Sequence, residues 1–259
     1  MGLILQADKI SKRFGGLLAL DGVELGIQEG SIHSIVGPNG SGKTTLFNVL
    51  TRFSEPTSGK VSFAGKNIAG IKPSAVVSMG MARTFQNLLI FKRMTVLENV
   101  LVGRTPRLDA KLINAFITPK WVTDEKKSNI ERCEQILDFC GLLEHKDKMP
   151  TNLPYADQKR LEIARALATE PRLLLLDEPA AGTPTGEVGQ LLELILKIKK
   201  SGITVMLIEH KMDMVMSISD RISVLNFGKK IAEGTPQEIR TDPMVIEAYL
   251  GRKWLDAEN

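Results

Sequence analysis

Gly37-Pro38-Asn39-Gly40-Ser41-Gly42-Lys43-Thr44 fits the pattern G-x-x-x-x-G-K-[S/T]. The apolar pair Ile35 and Val36 leads into it, and Leu46, Val49 and Leu50 follow at helical spacing. A short strand, a glycine-rich turn and a helix are therefore expected in that order. Glycines let the backbone curl until successive N–H groups converge on one point, a nest for an anion. The helix that follows aims the positive end of its dipole at the same point. Lys43 is placed to reach the β- and γ-phosphates of a nucleotide, and the Thr44 hydroxyl to hold Mg²⁺. The expected nucleotide-binding run is Gly37 through Gly42, Lys43, Thr44 and Thr45.

Further along, Leu173-Leu174-Leu175-Leu176-Asp177-Glu178 puts two carboxylates at the end of an apolar run. The run reads as a buried strand. Ligands of open α/β sheets bind at the carboxyl ends of their strands, so the acids are the informative part. Asp177 is expected to hold Mg²⁺, and Glu178 to take a proton from the attacking water. Loop and acids together predict nucleotide hydrolysis rather than binding alone.

Around these motifs the chain reads as α/β. Val23–Ile27 and Val61–Phe63 alternate, the second closed by a turn at Gly65-Lys66-Asn67, so the N-terminal part is expected to carry antiparallel strands. Helices are expected over 158–168, 187–200 and 211–218, alternating with strands over 173–176, 203–208 and 222–225. Between about 87 and 157 the character is helical and broken by Pro106, Pro119 and Pro150; one helix opens at Thr123-Asp124-Glu125 and ends at Gly141. The expected architecture is a P-loop NTPase core over 1–86 and 158–235, an inserted helical subdomain over 87–157 and a helical tail over 236–259.

Bulk properties exclude several alternatives. A 43% hydrophobic, 25% charged chain of 259 residues can bury a substantial core. The net charge of +4 is spread in ones and twos, without the basic clusters or interleaved aromatics of a nucleic-acid surface. No apolar run approaches the roughly 18–20 residues that span a bilayer, and Met1–Gln6 lacks the features of a secretory leader; a cytoplasmic location is expected. Cys133 and Cys140, seven apart on a helix, suit neither a disulfide nor a zinc site and are expected to be buried thiols.

Other segments carry a resemblance to the ABC-ATPase family that covers essentially the whole chain. Arg83-Thr84-Phe85-Gln86 resembles the Q-loop, which implies that Gln86 contacts Mg²⁺ or the attacking water. Ile208-Glu209-His210 resembles the switch region, with His210 reaching the γ-phosphate. Phe14 matches the aromatic that stacks on adenine, its alternative being a core residue. Gln158–Leu167 resembles the helix after the signature, here Leu153-Pro154-Tyr155-Ala156-Asp157, which in this family closes over ATP held by an opposing subunit. That segment departs from the usual Leu-Ser-Gly-Gly-Gln: Pro154 replaces a hydroxyl and removes an N–H, and Ala156 adds a methyl. The following Ala181-Gly182-Thr183-Pro184 is one residue shorter than the usual D-loop.

Within the family, Arg83–Gln86, Met94–Val100, Ala180-Ala181-Gly182, Asn226–Pro236 and Ile246–Gly251 resemble the ATP-binding subunits of branched-chain amino acid importers. The resemblance implies ATP and Mg²⁺ as cofactors, a second cassette of the same or a different kind, transmembrane permease subunits and an extracytoplasmic solute-binding protein. It implies no nucleic acid, and a peripheral position on the inner face of a prokaryotic membrane. A soluble ABC protein without a transporter, and a subunit that binds ATP but turns it over slowly, remain as alternatives. Arg83, Phe85, Phe91 and Met94 are the expected contacts for a permease helix, Phe91 alternatively being core.

Overall fold

A computed structural model describes residues 2–107 and 120–250. Two sheets carry the architecture. The first is antiparallel, in the order β2-β1-β4-β5, with β1 at Leu3–Phe14, β2 at Leu17–Gln28, β4 at Ser58–Phe63 and β5 at Lys66–Asn67. The second runs β10-β9-β3-β8-β7-β6. Its members are β3 at Ile32–Val36, β6 at Met81–Arg83, β7 at Leu173–Asp177, β8 at Thr204–Ile208, β9 at Arg221–Asn226 and β10 at Lys229–Gly234. All its pairings are parallel except β9 with β10, an edge hairpin. Every residue of β3, β7 and β8 is buried; β7 and β8 accordingly read as near-continuous apolar runs, whereas β3 buries His33 and Ser34 among its apolar residues.

Helices cover both faces of the second sheet. Helix α1, Lys43–Leu50, buries Leu46, Phe47, Val49 and Leu50 between the two sheets, against Leu5, Phe63 and Ile208 among others. On the opposite face lie α3 (Val96–Gly103), α4 (Lys120–Phe139), α5 (Tyr155–Leu167) and α6 (Thr185–Lys200), packed around Val100, Leu137, Leu161, Leu174 and Ile195. A smaller cluster joins β9 to α7 (Met212–Ile218), α8 (Pro236–Thr241) and α9 (Pro243–Leu250) through Val215, Val224, Ile239 and Val245. The remaining helix, α2, is short, Pro73–Ser78.

Boundaries differ from expectation for local reasons. The turn expected at Gly65-Lys66-Asn67 falls at Ala64-Gly65, whose φ values of 48° and 75° fit the mirror-image hairpin turn, and Lys66–Asn67 already pairs with β4. Helix α5 starts at Tyr155 rather than 158, so it takes up most of the predicted signature segment, with Pro154 as its N-cap. Helix α6 likewise begins right after Pro184, two residues early. Helix α4 begins at Lys120 instead of Thr123. Cys133 and Cys140 are free and buried, and burial raises the thiols to about 11 and about 12, which keeps them protonated and unreactive.

Candidate active site

The phosphate loop joins β3 to α1, and its shape leaves no choice of residue at two positions. Gly37 has φ 151°, and a Cβ there would lie 2.1 Å from the Leu225 carbonyl oxygen. Gly42 has φ 104°, with the Ala19 carbonyl 2.7 Å from where a Cβ would stand. Inside the loop, Lys43 Nζ donates to the carbonyls of Gly37 at 2.8 Å and Pro38 at 2.9 Å, and to Ser41 Oγ at 3.4 Å. Burial pushes the ammonium's pKa down, while the carboxylates of Glu178 and Asp177 pull it up. The cation thus faces two acids across the mouth of the loop.

Glu178 is held at φ 49°, a left-handed conformation rare for a side-chain-bearing residue and costing about 1–3 kcal/mol. Its N–H donates to the Ile208 carbonyl at 2.9 Å, tying the end of β7 to the end of β8. The strained position turns the carboxylate toward two partners. Gln86 Nε2 donates to Oε2 at 3.0 Å, and His210 Nε2 lies 2.6 Å from Oε1, donating to it when Glu178 is ionised. Three residues far apart in sequence therefore meet at one carboxylate. Glu209, buried beside them, accepts the N–H groups of Ala180 at 2.8 Å and His210 at 3.0 Å, so it fixes the start of the loop after β7 to the switch segment. Its signal was an acid at the exit of an apolar strand, overshadowed by the neighbouring histidine.

Asp177 is 1% exposed. Oδ2 accepts from Arg83 Nη2 at 2.7 Å, and Oδ1 has no hydrogen-bond partner. Arg83 was expected on a partner surface. It lies inside instead: its guanidinium also donates to Asn48 Oδ1 at 2.7 Å and Thr51 Oγ1 at 3.3 Å and stacks near the rings of Phe47 and Phe85. β6 ends at this residue, and the parallel pairing that sets Arg83 beside Leu175 brings its side chain to the acid two residues on. Arginine scattered through the sequence gave no sign of this.

A cavity of about 570 Å³ is lined by Phe14, Gly40, Lys43, Gln86, Glu178 and His210 along with the remainder of the loop from Asn39 to Thr45. Phe14 is 51% exposed on this cavity, which removes its alternative as a core residue. Thr44 is exposed at the first turn of α1. No three or more His, Cys, Asp or Glu among the described residues cluster as metal ligands. The unpartnered Asp177 oxygen suits a different arrangement, a hard cation shared between few protein oxygens, water and substrate phosphates.

The predicted signature segment stands apart from these groups. Leu153, Ala156 and Asp157 are buried, and Tyr155 is exposed. Pro154 makes no side-chain cap, and Asp157 pairs with Arg160 one turn on. Tyr155 leans on Gly182, where a Cβ would come within 3.1 Å of the ring, so the signature and the loop after Glu178 touch within one chain.

Beside the site, a second groove of about 530 Å³ runs between the segment after Gln86 and helices α3 and α5. Leu89, Phe91 and Met94 are exposed here or close by, and at 44% exposure Phe91 is not a core residue. No helix among the described residues is long and apolar enough to cross a membrane.

The family model described as "ABC transporter" matches residues 20–181, and one described as "Branched-chain amino acid ATP-binding cassette transporter" matches residues 229–253. The chain is 44% identical, over 96% of its length and 98% of the relative's, to the high-affinity branched-chain amino acid transport ATP-binding protein LivG of Salmonella typhimurium. It is 45% identical to BraF of Pseudomonas aeruginosa, a protein of the same description, over 96% and 98% of the two chains. Among solved structures, the ADP conformation of an ATP-binding cassette of an ABC transporter matches with a TM-score of 0.84 and 37% identity, over 97% of this chain and all of that one. The phosphate loop, the strained acid at the end of β7 and these end-to-end likenesses agree: the chain belongs to the ABC transporter family, as an ATP-hydrolysing ATP-binding cassette.

Proposed function

We propose that this cassette energises an importer of branched-chain amino acids, hydrolysing ATP at the site where Gln86 and His210 hold the Glu178 carboxylate. That convergence carries the reading, because it gives a general base both of whose oxygens are oriented before any substrate arrives. The N–H groups of the loop from Asn39 onward cradle the β- and γ-phosphates, and Lys43 trades the loop carbonyls for phosphate oxygens. Phe14 stacks on the adenine from the rim of the cavity. Glu178 then accepts a proton from water as that water attacks the γ-phosphorus; Gln86 and His210 fix its lone pairs on the attack side. Thr44, Asp177 and Gln86 would hold Mg²⁺, which when bound neutralises charge on the phosphoryl oxygens.

The segment Leu153–Asp157, at the positive end of α5, addresses the nucleotide of a second cassette in a dimer. A permease helix docks in the groove beside Gln86, where Leu89 and Phe91 offer exposed apolar surface, with Met94 close by. The cassette accordingly sits peripherally on the inner membrane face, and an extracytoplasmic binding protein delivers the amino acid to the permease. The relatives' described role in branched-chain amino acid transport supports the choice of substrate.

The test is reconstitution of the cassette with its permeases and binding protein in vesicles. ATP-dependent uptake of leucine, isoleucine or valine, together with crosslinks from residues 86–100 to a permease, is the expected result. ATPase activity that none of these amino acids stimulates, with no crosslink from that segment, contradicts the reading.

A further inference from the structure

Helix α5 does more than present the signature segment, for its later turns lie against the backbone that carries Gln86. Lys159 and Glu162 are one turn apart and both 3% exposed. Glu162 Oε1 accepts the Phe85 N–H at 3.3 Å, and Lys159 Nζ donates to the Gln86 carbonyl at 3.4 Å. The two side chains grip the main chain one residue before the Gln86 Cα and immediately after it. One more turn along, the Arg165 guanidinium stacks 5.5 Å from the ring of Phe91. Burial raises the carboxyl of Glu162 and lowers the pKa of Arg165, while the backbone N–H groups of Phe85 and Leu89 help keep Glu162 ionised. Charged groups so deeply buried are costly unless paired; here Lys159 and Arg165 oppose the charge of Glu162 along the same helix, and its hydrogen-bond partners belong to the loop.

We propose that Glu162 and Lys159 are positioning residues for hydrolysis: they clamp the Gln86 backbone so that its side chain reaches Glu178, and they tie that loop to the helix whose first turn is the signature. Lys159 also lies 5.7 Å from the ring of Tyr155 in that first turn, so one side chain touches both ends of the link. The proposal rests on the reading of Gln86 and Glu178 as a hydrolytic pair. It goes beyond it in naming what holds Gln86 in place, and in making α5 the connection between a cassette's own site and the one it closes on its partner.

The experiment is a double-mutant cycle in the assembled transporter, measuring kcat, KM for ATP, equilibrium nucleotide binding and Tm. Glu162→Ala is expected to lower kcat roughly tenfold with nucleotide binding changed less than about twofold. Glu162→Gln, whose amide oxygen can still accept the Phe85 N–H, should recover most of that loss. In a Gln86→Ala background Glu162→Ala should add nothing, because residues acting through one another are not additive. Lys159→Met is carried through the same cycle and decides the matter if Glu162→Ala does not fold. The proposal is overturned if kcat is unchanged, or if the loss is as large without the Gln86 side chain as with it. Equal defects in Glu162→Gln and Glu162→Ala overturn it too. Full turnover in a parallel Glu178→Gln complex would instead remove the hydrolytic reading, an outcome separable from either result of the cycle.

Discussion

A Cβ on Gly37 would collide with the Leu225 backbone at 2.1 Å, whereas one on Gly40, at φ 77°, would meet nothing within 4 Å. The two glycines look alike in the motif and differ in cause. Gly37→Ala should abolish nucleotide binding, because the collision is with main chain that cannot yield. Gly40→Ala meets only the left-handed backbone cost of roughly 1 kcal/mol and should still bind. Equilibrium binding of a fluorescent ATP analogue checks both. His33 offers a second test at this scale. It is buried on β3 and bonded to Ser223 Oγ, and burial lowers its pKa to about 4, with Arg221 and Lys230 adding to and Glu233 opposing that shift. The folded chain then keeps His33 neutral down to about pH 4, while the unfolded chain takes up a proton below about 6.5. Stability is full above the unfolded pKa and falls as pH drops toward the folded one. Between pH 7.5 and 5 the loss is roughly 2 kcal/mol. Urea unfolding of a His33→Gln variant should show a shallower fall by that amount; identical slopes would mean that His33 is protonated in the folded state.

Among the elements, those built on unbroken apolar runs were legible in the sequence. β7 and β8 are buried end to end and their near-continuous apolar runs state this directly, whereas in β3 the buried His33 and Ser34 interrupt the run. β1 was not legible. Its register shifts between Ala7 and Ile10, and Lys9 sits at φ 47°, so the bulge breaks the alternation a strand should display. β6 is only three residues long, too short for any period. Helix α3 carried an overlooked mark: Thr95 and Glu98 form a reciprocal capping box, the S/T-x-x-E pattern in front of Val96–Gly103. The site divides in the same way. The loop, Asp177 and Glu178 follow from local pattern, and Phe14, Gln86 and His210 were reached through family resemblance. Arg83 as the strut of Asp177 depends on the register of β6 with β7, and Glu209 as the tie between Ala180 and the switch segment on that of β7 with β8, each across a long stretch of chain. Charged residues at such distances leave no periodic trace.

At the scale of the whole molecule, the departures at Pro154 and Ala156 make the proposed dimer unequal when the partner is a different cassette with an ordinary signature, and slow both sites alike when the partner is a second copy of this chain. The site built on Lys43 and Glu178 is closed by the partner's signature, and the partner's site is closed by Leu153–Asp157. A hydrogen bond to a charged phosphate is worth roughly 1.5–3 kcal/mol, so the second site should be about ten- to a hundredfold slower where that bond acts in the transition state. Pro154 stands at the N-cap of α5 with φ −53° and ψ 154°, a backbone that serine adopts readily and where its hydroxyl can also cap the helix. Restoring Ser at 154 and Gly at 156 should therefore speed hydrolysis at the partner-owned site without unfolding α5; unchanged rates at both sites would mark the two residues as tolerated variation. All of this depends on Glu178 as the base, held by Gln86 and His210 in the cavity of the phosphate loop. The most direct measurement is single-turnover ATP hydrolysis by the assembled complex carrying Glu178→Gln, with nucleotide binding followed in the same sample. The account predicts ATP bound as tightly as by the unaltered complex and not cleaved at the site that Lys43 and Glu178 build. Cleavage there at the unaltered rate would contradict it.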